Sequence, residues 1–369
     1  MEKVRIAIAG VGNCASSLLQ GIDYYRNIPR EQHEAWGLMH LDMGGYRPGD
    51  VEVVAAFDVD VRKVGRPLHE AAFAAPNCTT VISDHIAKSE VVVQMGPVHD
   101  GVAKHMADYP PERSFRVANE RPVDVAKQLR ESGAEILVSY MPVGSQKAAQ
   151  AYAEACLETG VSLVNCIPVF LVSDPMWGER FRQAGIPCAG DDIKSQFGAT
   201  ILHRAVVRLL ADRGVEVERT YQLNTGGNTD FLNMLSRHRL VSKKISKTEA
   251  VTSQIPYDIG ADNVHIGPSD YVPWQNDNKV CFLRVEGRGF GGAPIELEAR
   301  LSVQDSPNSA GIVIDVVRYV KVARERGAAG PLLPISAYTM KHPPVQMRDV
   351  DAARQIEAFL EKSTGDDTA

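Results

Sequence analysis

The sequence predicts an α/β fold: a doubly wound, Rossmann-type parallel sheet with an inserted α+β domain. The chain opens with a β-branched and apolar run at 4–9, which breaks into glycines and then into a helical pattern. Short apolar runs then recur with helix-like segments between them, as parallel βαβ units require. After residue 212 longer extended segments replace this alternation, and they predict the second, mixed domain.

The predicted parallel sheet takes its strands from the apolar runs at 4–9, 51–57, 91–95, 135–140, 162–166 and 186–189. A helix at 15–25 follows the first strand. Residues 27–50 are polar, rich in Gly, His and Pro, and show no strong periodicity. We therefore expect them to form an inserted loop beside the cofactor site, with a possible role as a lid.

The second half of the chain begins with an amphipathic helix at 198–212, followed by extended segments at 217–223, 280–286 and 295–303. Helical patterns at 311–324 and 352–362 indicate a return to the first domain. The predicted domains are a first domain with the parallel sheet at 1–196, an inserted domain at 197–305, and helices at 306–369 that return to the first domain. The acidic tail at 365–369 is expected to fray.

Composition narrows the class of protein. The chain has 369 residues, 44% of them hydrophobic and 23% charged, with a net charge of -6. This spread-out charge does not favour nucleic acid or an anionic membrane surface as a partner. The start lacks the pattern of a signal peptide, so we expect a cytoplasmic protein. The six cysteines are scattered and are expected to be free thiols, mostly buried.

A glycine motif follows the first strand. Residues 10–15 match the pattern G-x-G-x-x-G/A between a strand and a helix, where bare backbone lets a pyrophosphate approach the helix N-terminus. The alternative is a glycine-rich turn without a ligand. The motif makes candidate cofactor-binding residues of Gly10, Gly12, Asn13, Cys14 and Ala15.

Asp58 ends the next predicted strand, where a carboxylate would meet the adenosine ribose and repel the extra phosphate of NADP. NAD is therefore the expected cofactor. Asp58 lies further from the glycines than is usual, which the insertion at 27–50 would explain; alternatively it only caps the strand end. Ser139 and Pro142, after a later strand, are further candidates. Tyr152 is a weaker one, because an aromatic residue there is more often core.

The most unusual segment is 190–196, Gly-Asp-Asp-Ile-Lys-Ser-Gln, which crowds three charges at a strand-to-helix junction. It resembles the Gly-Asp-Asp-x-Lys-Ser signature of the myo-inositol-1-phosphate synthases. The resemblance continues in Leu-Asn-Thr-Gly-Gly-Asn-Thr-Asp-Phe at 223–231, Ser-Lys-Lys-Ile-Ser-Lys at 242–247, Gly-Pro-Ser-Asp-Tyr-Val-Pro-Trp at 267–274 and Asp-Ser-Pro-Asn-Ser-Ala-Gly at 305–311. It covers most of the chain, which looks like the shorter actinobacterial-type members.

The resemblance implies an NAD-dependent isomerase of inositol and phospholipid biosynthesis. Bound NAD would oxidise C5 of glucose 6-phosphate, C6 would attack C1 in an intramolecular aldol reaction, and the NADH formed would reduce the ketone again. The cofactor would thus be regenerated in each turnover. The resemblance also implies that 1–196 is the NAD-binding domain and that 197–305 is a catalytic and oligomerisation domain. It implies a homotetramer whose interface is supplied by the sheet of this second domain.

The resemblance assigns catalytic roles to three lysines. Lys194 and Lys279 would serve hydride transfer and stabilise an enolate, and Lys243 would bridge cofactor and substrate. Asp191, Asp192 and Asp305 either collect a divalent cation or pair with the lysines. Pairing is favoured, because no metal-spacing motif is present. Asp192 and Asp305 are therefore counted with the catalytic group.

Further residues fall in the resembling segments. Ser195 and Asp230 join Lys243 as candidates for cofactor binding, and a second group is assigned to the substrate: Ser195, Asn233, Lys247 and Asn308. Lys243 and Lys247 share one face if their segment is helical, so a phosphate could draw on both; the alternative is a solvated basic face. Longer relatives carry a lysine where this chain has Gly198 and Ala199, so that lysine's role is absent or supplied elsewhere.

Two other functions remain open at this point. An ordinary NAD-dependent dehydrogenase of a phosphorylated small molecule would use the same nucleotide fold and would change the amount of NADH. A non-catalytic NAD-binding regulator would bind ligands without turnover. Neither needs the combination of the Gly-Asp-Asp-x-Lys and Ser-Lys-x-x-Ser-Lys elements, which therefore favours the synthase.

Overall fold

A computed structural model describes residues 2–29, 31–32, 36–83 and 86–361; the predicted frayed tail at 365–369 lies outside them. The strands are β1 (Val4–Ala9), β2 (Val51–Asp58), β3 (Gln94–Met95), β4 (Ile136–Ser139), β5 (Ser162–Asn165), β6 (Pro187–Gly190), β7 (Glu216–Gly226), β8 (Val264–Tyr271), β9 (Asn278–Arg288), β10 (Pro294–Gln304) and β11 (Gly330–Pro331). The helices are α1 (Asn13–Arg26), α2 (Leu68–Ala71), α3 (Val125–Ser132), α4 (Gln146–Thr159), α5 (Pro175–Gln183), α6 (Ala199–Asp212), α7 (Thr229–Asn233), α8 (Val241–Thr252), α9 (Asp305–Glu325), α10 (Leu333–Thr339) and α11 (Asp349–Glu361). Short 3-10 helices lie at Pro48–Asp50, Lys104–Asp108, Arg237–Leu240, Ala261–Asn263, Pro273–Gln275 and Phe290–Gly292.

The first sheet is parallel throughout, with the strand order β11-β6-β5-β4-β1-β2-β3. Apart from the added β11, this is the order of a doubly wound dinucleotide-binding fold, so the predicted fold class is confirmed. β3 is shorter than the predicted run at 91–95. The switch in strand order lies between β1 and β4, the place where such sheets bind ligands.

Helices cover both faces of the parallel sheet. On one face, α1, α9, α10 and α11 pack against the inward side chains of β1 and β4, with Leu18 and Val313 at the centre. On the other face, α3, α4 and α5 pack around Leu137 and Phe181. Because both faces are buried, the strands are apolar almost throughout, which is why the sequence revealed them.

The second sheet has the order β10-β9-β7-β8, with β7 and β8 parallel and the other pairs antiparallel. α6 and α8 cover its inner face through Val207, Val251 and Ile266. β8 was not predicted, because its Gly-Pro step interrupts the apolar alternation. On the outer face the cross-strand pair Leu223 and Phe282 is exposed.

α9 is the central helix of the molecule and it fixes the segment at 36–50. Arg318 donates to the carbonyl oxygens of Leu41 (3.0 Å) and Tyr46 (3.2 Å), while Asp315 accepts from the Met39 N–H (2.7 Å). None of the described residues between 27 and 50 lines the main cavity. The expected lid beside the cofactor site is therefore wrong for this described part of the segment, because buried hydrogen bonds hold it against α9 instead.

Two further observations concern membrane spans and cysteines. Among the described residues, no helix is both long and apolar enough to cross a membrane. All six cysteines are free, and four of them are buried while Cys14 and Cys78 are half-buried. The predicted free and mostly buried thiols are thus confirmed.

His203 makes the stability of the second sheet depend on pH. It is fully buried between α6 and β7, 2.7 Å from the Thr220 hydroxyl, and burial lowers its pKa from 6.5 to about 4. Between these values the unfolded chain binds a proton that the folded chain does not, so stability falls as pH falls through this window. We expect a loss of about 2 kcal/mol between pH 7 and pH 5.

Urea denaturation at the two pH values measures this loss. In His203→Gln the unfolding free energy should fall by about 2 kcal/mol less over the same pH range. Equal losses in the two proteins would show that other groups dominate the acid sensitivity.

Candidate active site

A cavity opens between the carboxyl ends of the parallel strands and the second sheet. On one side, its walls come from the glycine loop before α1, the turns after β4 and β5, and the segment after β6. On the other, they come from α7, α8, the starts of β9 and α9, and Lys341 after α10. Ligands of doubly wound folds bind at this edge of the sheet. Most of the residues singled out in the sequence meet here.

The glycine loop has the backbone that a pyrophosphate site needs. Gly10 has φ +98°, and a Cβ there would lie 2.9 Å from the Tyr140 carbonyl oxygen. A Cβ at Gly12 would meet nothing within 4 Å. Gly12 precedes α1 without any side-chain cap, so the first N–H groups of that helix are left to a ligand. These residues fit a dinucleotide.

The other three residues of the glycine motif, Asn13, Cys14 and Ala15, do not all reach the cavity. Asn13 and Cys14 line the cavity, whereas Ala15 is fully buried in the core. The Asn13 amide donates to the buried Asp277 carboxylate (3.3 Å), which also accepts from Asn228 (2.9 Å). Asp277, which the sequence did not single out, thus connects the glycine loop to the N-terminus of α7.

The Asp58 carboxylate is engaged by the backbone. It accepts from the N–H groups of Val11 (2.7 Å), Val59 (2.7 Å) and Asp60 (2.8 Å). On the opposite side of the same loop, the buried Lys63 ammonium donates to the Val11 carbonyl oxygen (2.6 Å). Asp58 therefore does cap the strand end, and it also fixes the glycine loop.

The turn after β4 contributes less than expected. Pro142 lines the cavity, but Ser139 is buried and lies outside its lining. Tyr152 is buried on the inner face of α4, with its ring 5.8 Å from that of Phe57. The structure therefore places Tyr152 in the core rather than at the cavity, because an aromatic side chain on this helix face fills the space under the sheet.

Four lysines surround one end of the cavity, and three of them are paired with carboxylates. Lys243 lies 2.9 Å from Asp230. Lys279 lies 3.1 Å from Asp305, and Lys341 lies 2.9 Å from Asp192. This pairing agrees with the ion-pair interpretation of Asp192 and Asp305. Within the described residues, no group of three or more His, Cys, Asp or Glu residues is arranged to hold a metal ion. The fourth lysine is Lys247.

Lys247 differs from the other three. It is only 6% exposed, and its ammonium has no hydrogen-bond or ion-pair partner in the part of the chain that the structure describes. Burial, followed by the positive charges of Lys243, Lys279 and Lys341, lowers its pKa well below the ordinary value. An amine in this state is able to accept a proton, and the surrounding cations attract an anion.

The pKa values of Lys243 and Lys341, which lie beside Lys247, are shifted in opposite directions. Burial would lower the pKa of Lys243, but Asp230 and Asp192 outweigh it and keep the pKa above its ordinary value. Burial lowers the pKa of Lys341, and Asp192 offsets only part of this effect. Lys243 is therefore held as an ammonium group while Lys247 is disposed to be neutral.

Lys194 does not reach the cavity. Its side chain is 1% exposed and its ammonium donates to the carbonyl oxygens of Ala337 (2.7 Å) and Tyr338 (3.3 Å) at the end of α10. Lys194 therefore lies outside the lining of the cavity in this structure, and its contact with cofactor or substrate stays a prediction. The backbone turns at Asp192, where φ is +65°, so Asp192 faces the cavity and Lys194 lies behind it.

The position of Asp191 agrees neither with a metal site nor with pairing to a lysine, the two interpretations that the sequence allowed. It is fully buried, and its carboxylate accepts from the Asn165 amide (2.7 Å), the Leu171 N–H (2.9 Å) and the Ser173 hydroxyl (2.8 Å). Neither a lysine nor a metal ion is needed to satisfy it. Asp191 instead shapes the loop after β5.

Lys341 is the main cavity residue that the sequence analysis missed. It lies in no recognised motif, and its segment reaches the cavity only because 339–342 pairs with 191–194. The Lys341 N–H donates to the Asp192 carbonyl oxygen and the Lys194 N–H to that of Thr339, both at 2.7 Å. No signal in the linear sequence indicated this pairing.

The predicted substrate-binding residues separate into two groups. Ser195 and Lys247 line the cavity. Asn308 does not: its amide donates to the Phe197 carbonyl oxygen (2.6 Å) and accepts from the Phe197 N–H (3.0 Å). Asn233 is fully buried and donates to the Val143 carbonyl oxygen (2.9 Å). The last two therefore hold neighbouring loops in place.

Comparison with known proteins adds an independent line of observation. Residues 198–306 match the family model described as myo-inositol-1-phosphate synthase. An inositol-3-phosphate synthase of Mycolicibacterium smegmatis is 52% identical over 97% of this chain and 98% of its own. That of Corynebacterium glutamicum is 51% identical over the same shares. A crystal structure of a myo-inositol-1-phosphate synthase-related protein from Thermotoga maritima shares the fold, with a TM-score of 0.80 at 23% identity over 97% and 98% of the two chains.

Proposed function

The chain belongs to the inositol-3-phosphate synthase family, and from this membership we propose that it converts glucose 6-phosphate into 1L-myo-inositol 1-phosphate (1D-myo-inositol 3-phosphate), with NAD and no net redox change. The observation that carries the proposal is that Lys247 has no partner among the described residues, whereas the three lysines around it are paired with carboxylates, in a cavity that begins at the glycine loop. The product would serve inositol and phospholipid biosynthesis.

Support for NAD comes from the loop before α1. Gly12 leaves room for a pyrophosphate, and Gly10 permits the tight turn before it. The first N–H groups of α1 are uncapped, and Asn13 lines the same wall. Asp58 lies at the end of β2, where the adenosine ribose is bound in this fold class. When bound, NAD supplies the oxidant for carbon 5 of the sugar phosphate and afterwards the reductant that restores its hydroxyl.

We assign proton transfer at carbon 5 to Lys247. Its amine accepts the proton of the carbon 5 hydroxyl as that carbon is oxidised, and it returns a proton to the same oxygen when the ketone is reduced. The low pKa of this amine suits the task, because a general base must be neutral at the operating pH. Lys243, which stays charged beside Asp230, binds the phosphate and bridges it to the cofactor.

The ring-closing step needs cations near a moving negative charge. Loss of a proton from carbon 6 leaves charge on the carbon 5 oxygen. Formation of the bond from carbon 6 to carbon 1 moves the charge to the carbon 1 oxygen, which then takes up a proton. This proton balances the one lost from carbon 6, so ring closure has no net proton change. Lys279 and Lys341, oriented by Asp305 and Asp192, stabilise the charge in both positions. Lys341 thereby shares the role that the sequence analysis gave to Lys194.

The deciding experiment supplies the purified protein with glucose 6-phosphate and a small amount of NAD, and follows inositol phosphate and NADH together. Product in excess of the NAD supplied, without accumulating NADH, is the expected result. Accumulating NADH without inositol phosphate would indicate a dehydrogenase instead. Binding of NAD without any turnover would indicate a regulator.

A substitution at Asp58 tests whether the protein prefers NAD to NADP. We expect Asp58→Ala to raise the KM for NAD at least about tenfold, since a charged hydrogen bond contributes about 1.5–3 kcal/mol, and to weaken discrimination against NADP. Initial rates with each dinucleotide measure both effects. Unchanged discrimination would show that another residue reads the ribose.

We further propose a homotetramer, as the family resemblance implies. The outer face of the second sheet supports this, because Leu223 and Phe282 are exposed there side by side. Light scattering on the purified protein and on Phe282→Glu measures the assembly. An unchanged mass in the variant would place the interface elsewhere.

A further inference from the structure

Lys63 is a buried cation that the proposed reaction leaves without a role. It lies in the turn after β2, is only 1% exposed and does not line the cavity. Its ammonium donates to the Val11 carbonyl oxygen (2.6 Å) and to the side-chain oxygen of Asn77 (2.8 Å). No carboxylate in the described part of the chain forms an ion pair with it. Lys63 therefore brings a positive charge to the inner side of the glycine loop without a paired negative charge from these residues.

A buried charge of this kind costs free energy. Taking an ammonium group out of water is unfavourable unless an opposite charge lies close to it. Burial accordingly lowers the pKa of Lys63, and the carboxylates of Asp58 and Asp60 offset only part of this effect. The neighbouring Arg62, which is paired with Asp60 (2.6 Å), adds a further positive charge. An anion that binds close to the Lys63 ammonium would offset the cost.

Lys63 is one of three side chains that hold the backbone of Val11, between the first two glycines of the loop. The Asp58 carboxylate accepts from the Val11 N–H (2.7 Å). On the other side, the Asn77 amide (3.2 Å) joins Lys63 as a donor to the Val11 carbonyl oxygen. Both polar backbone groups of Val11 are thus engaged inside the protein, which fixes the orientation of the peptide between Val11 and Gly12.

The orientation of this peptide decides what the loop presents to a ligand. In a trans peptide, the carbonyl oxygen and the N–H of the next residue point in opposite directions. Because the Val11 carbonyl oxygen points inward to Lys63, the Gly12 N–H points the other way, and Gly12 lines the cavity. This N–H has no acceptor within the described ranges. It is therefore available to a phosphate oxygen, as are the uncapped N–H groups of α1.

The charge of Lys63 strengthens this arrangement. A cation that donates to a carbonyl oxygen polarises the peptide, so the N–H at the other end of that peptide becomes a stronger donor. The cation also attracts an anion across the loop, since a buried charge is screened less than an exposed one. Both effects need the positive charge of Lys63, whereas Asp58 and Asn77 also support the shape of the loop.

We infer that Lys63 is a positioning residue for the cofactor, which turns the Gly12 N–H toward the pyrophosphate and opposes the charge of the pyrophosphate from the inner side of the loop. The inference rests on the proposed function for the identity of this cofactor. It gives Lys63 no contact with the substrate, so the expected effect is on the affinity for the dinucleotide and not on kcat.

Lys63→Met removes the charge and should leave the fold intact. Methionine is apolar and of similar length, and Val11 already packs with Leu68 and Ala72. The Val11 carbonyl oxygen keeps the Asn77 amide as its donor. Because the variant also loses a buried cation without an ion pair, the free protein should melt no lower than the wild type. A variant that melted lower, or did not fold, would show that Lys63 serves the fold and would overturn the inference.

Calorimetry with three ligands tests the role of the charge. We expect Lys63→Met to weaken the binding of NAD and of ADP-ribose by the same factor of at least about ten, the scale of one hydrogen bond to a charged group. Adenosine, which lacks the pyrophosphate, should bind to the variant as it does to the wild type. The kcat at saturating NAD should also be unchanged. Unchanged affinity for NAD, or an equal loss for adenosine, would overturn the inference, because Lys63 would then not act on the pyrophosphate.

The matched control is Lys321→Met. Lys321 is also a buried lysine, 3% exposed in its side chain and 2.6 Å from Glu135, but it lies in α9 and does not line the cavity. Its replacement should leave the affinity for NAD and for ADP-ribose unchanged. An equal weakening in this control would reduce the effect of Lys63→Met to the loss of any buried cation, and the assigned role would fail.

These binding measurements do not depend on turnover. If the wild type bound NAD but formed no inositol phosphate, the proposed function would fail, and the comparison of Lys63→Met with the wild type would still decide the role of Lys63. If inositol phosphate formed and Lys63→Met bound NAD normally, the proposed function would stand and this inference would fail.

Discussion

Replacement of Lys247 by methionine is expected to lower kcat for inositol phosphate formation about a thousandfold, within the range that one general base contributes. The KM for glucose 6-phosphate should change less than threefold, because Lys243, Lys279 and Lys341 remain to attract the phosphate. The reason lies in the pKa of Lys247, which burial and the three neighbouring lysines lower. Methionine fills a similar volume but cannot accept a proton.

The pH dependence of the rate follows from the same lowered pKa of Lys247. The neutral amine is the active form, so the rate should fall as pH falls through the lowered pKa of Lys247, and this limb should be absent in Lys247→Met. Lys244→Met is the control, because Lys244 lies on the exposed side of the same helix. A variant that kept kcat but showed a KM raised about a hundredfold would make Lys247 a phosphate ligand, as the sequence analysis had assigned it.

The second large effect is expected for Gly12→Val, which should abolish NAD binding and leave the fold intact. A Cβ at Gly12 meets nothing within 4 Å in the protein, and the backbone at this position is extended, which valine tolerates. The added methyl groups would occupy the space of the pyrophosphate. Calorimetric titration with NAD and a thermal melt together measure the two parts of this prediction.

Gly10 provides the contrasting variant two residues away. Its φ of +98° and the 2.9 Å approach to the Tyr140 carbonyl oxygen make any side chain costly, so Gly10→Ala should destabilise the fold by about 2 kcal/mol. If Gly12→Val bound NAD normally, the pyrophosphate would not lie on this loop. If it melted like Gly10→Ala, the space beside Gly12 would be structural.

The parallel sheet was predictable because its strands are buried on both faces. β1, β4 and β5 are mostly apolar, and the predicted bounds differ from the observed ones by one residue at most. β8 and β11 were not predictable in this way. A Gly-Pro step divides β8, and β11 has only two residues, so neither produces a periodic signal.

The sequence predicted the positions of site residues that lie within one motif, but not those of residues that come together from distant segments. Lys243 and Lys247 share a helix face, as their spacing of four residues indicated. Lys341 enters the cavity through pairing with a segment about 150 residues earlier, seen in its 2.9 Å contact with Asp192. Likewise, the motif placed Lys194 near the cavity but could not show on which side of the backbone its ammonium lies.

The position of α9 has a consequence for synthesis of the chain. Its side chains from Ile312 to Ala323 form one core with β1 and α1, at the opposite end of the sequence, and β11 completes the same sheet still later. The first 196 residues emerging from a ribosome would therefore expose the apolar surface that α9 covers. We expect this portion to need chaperone protection until the last third of the chain is made, and to aggregate when expressed alone.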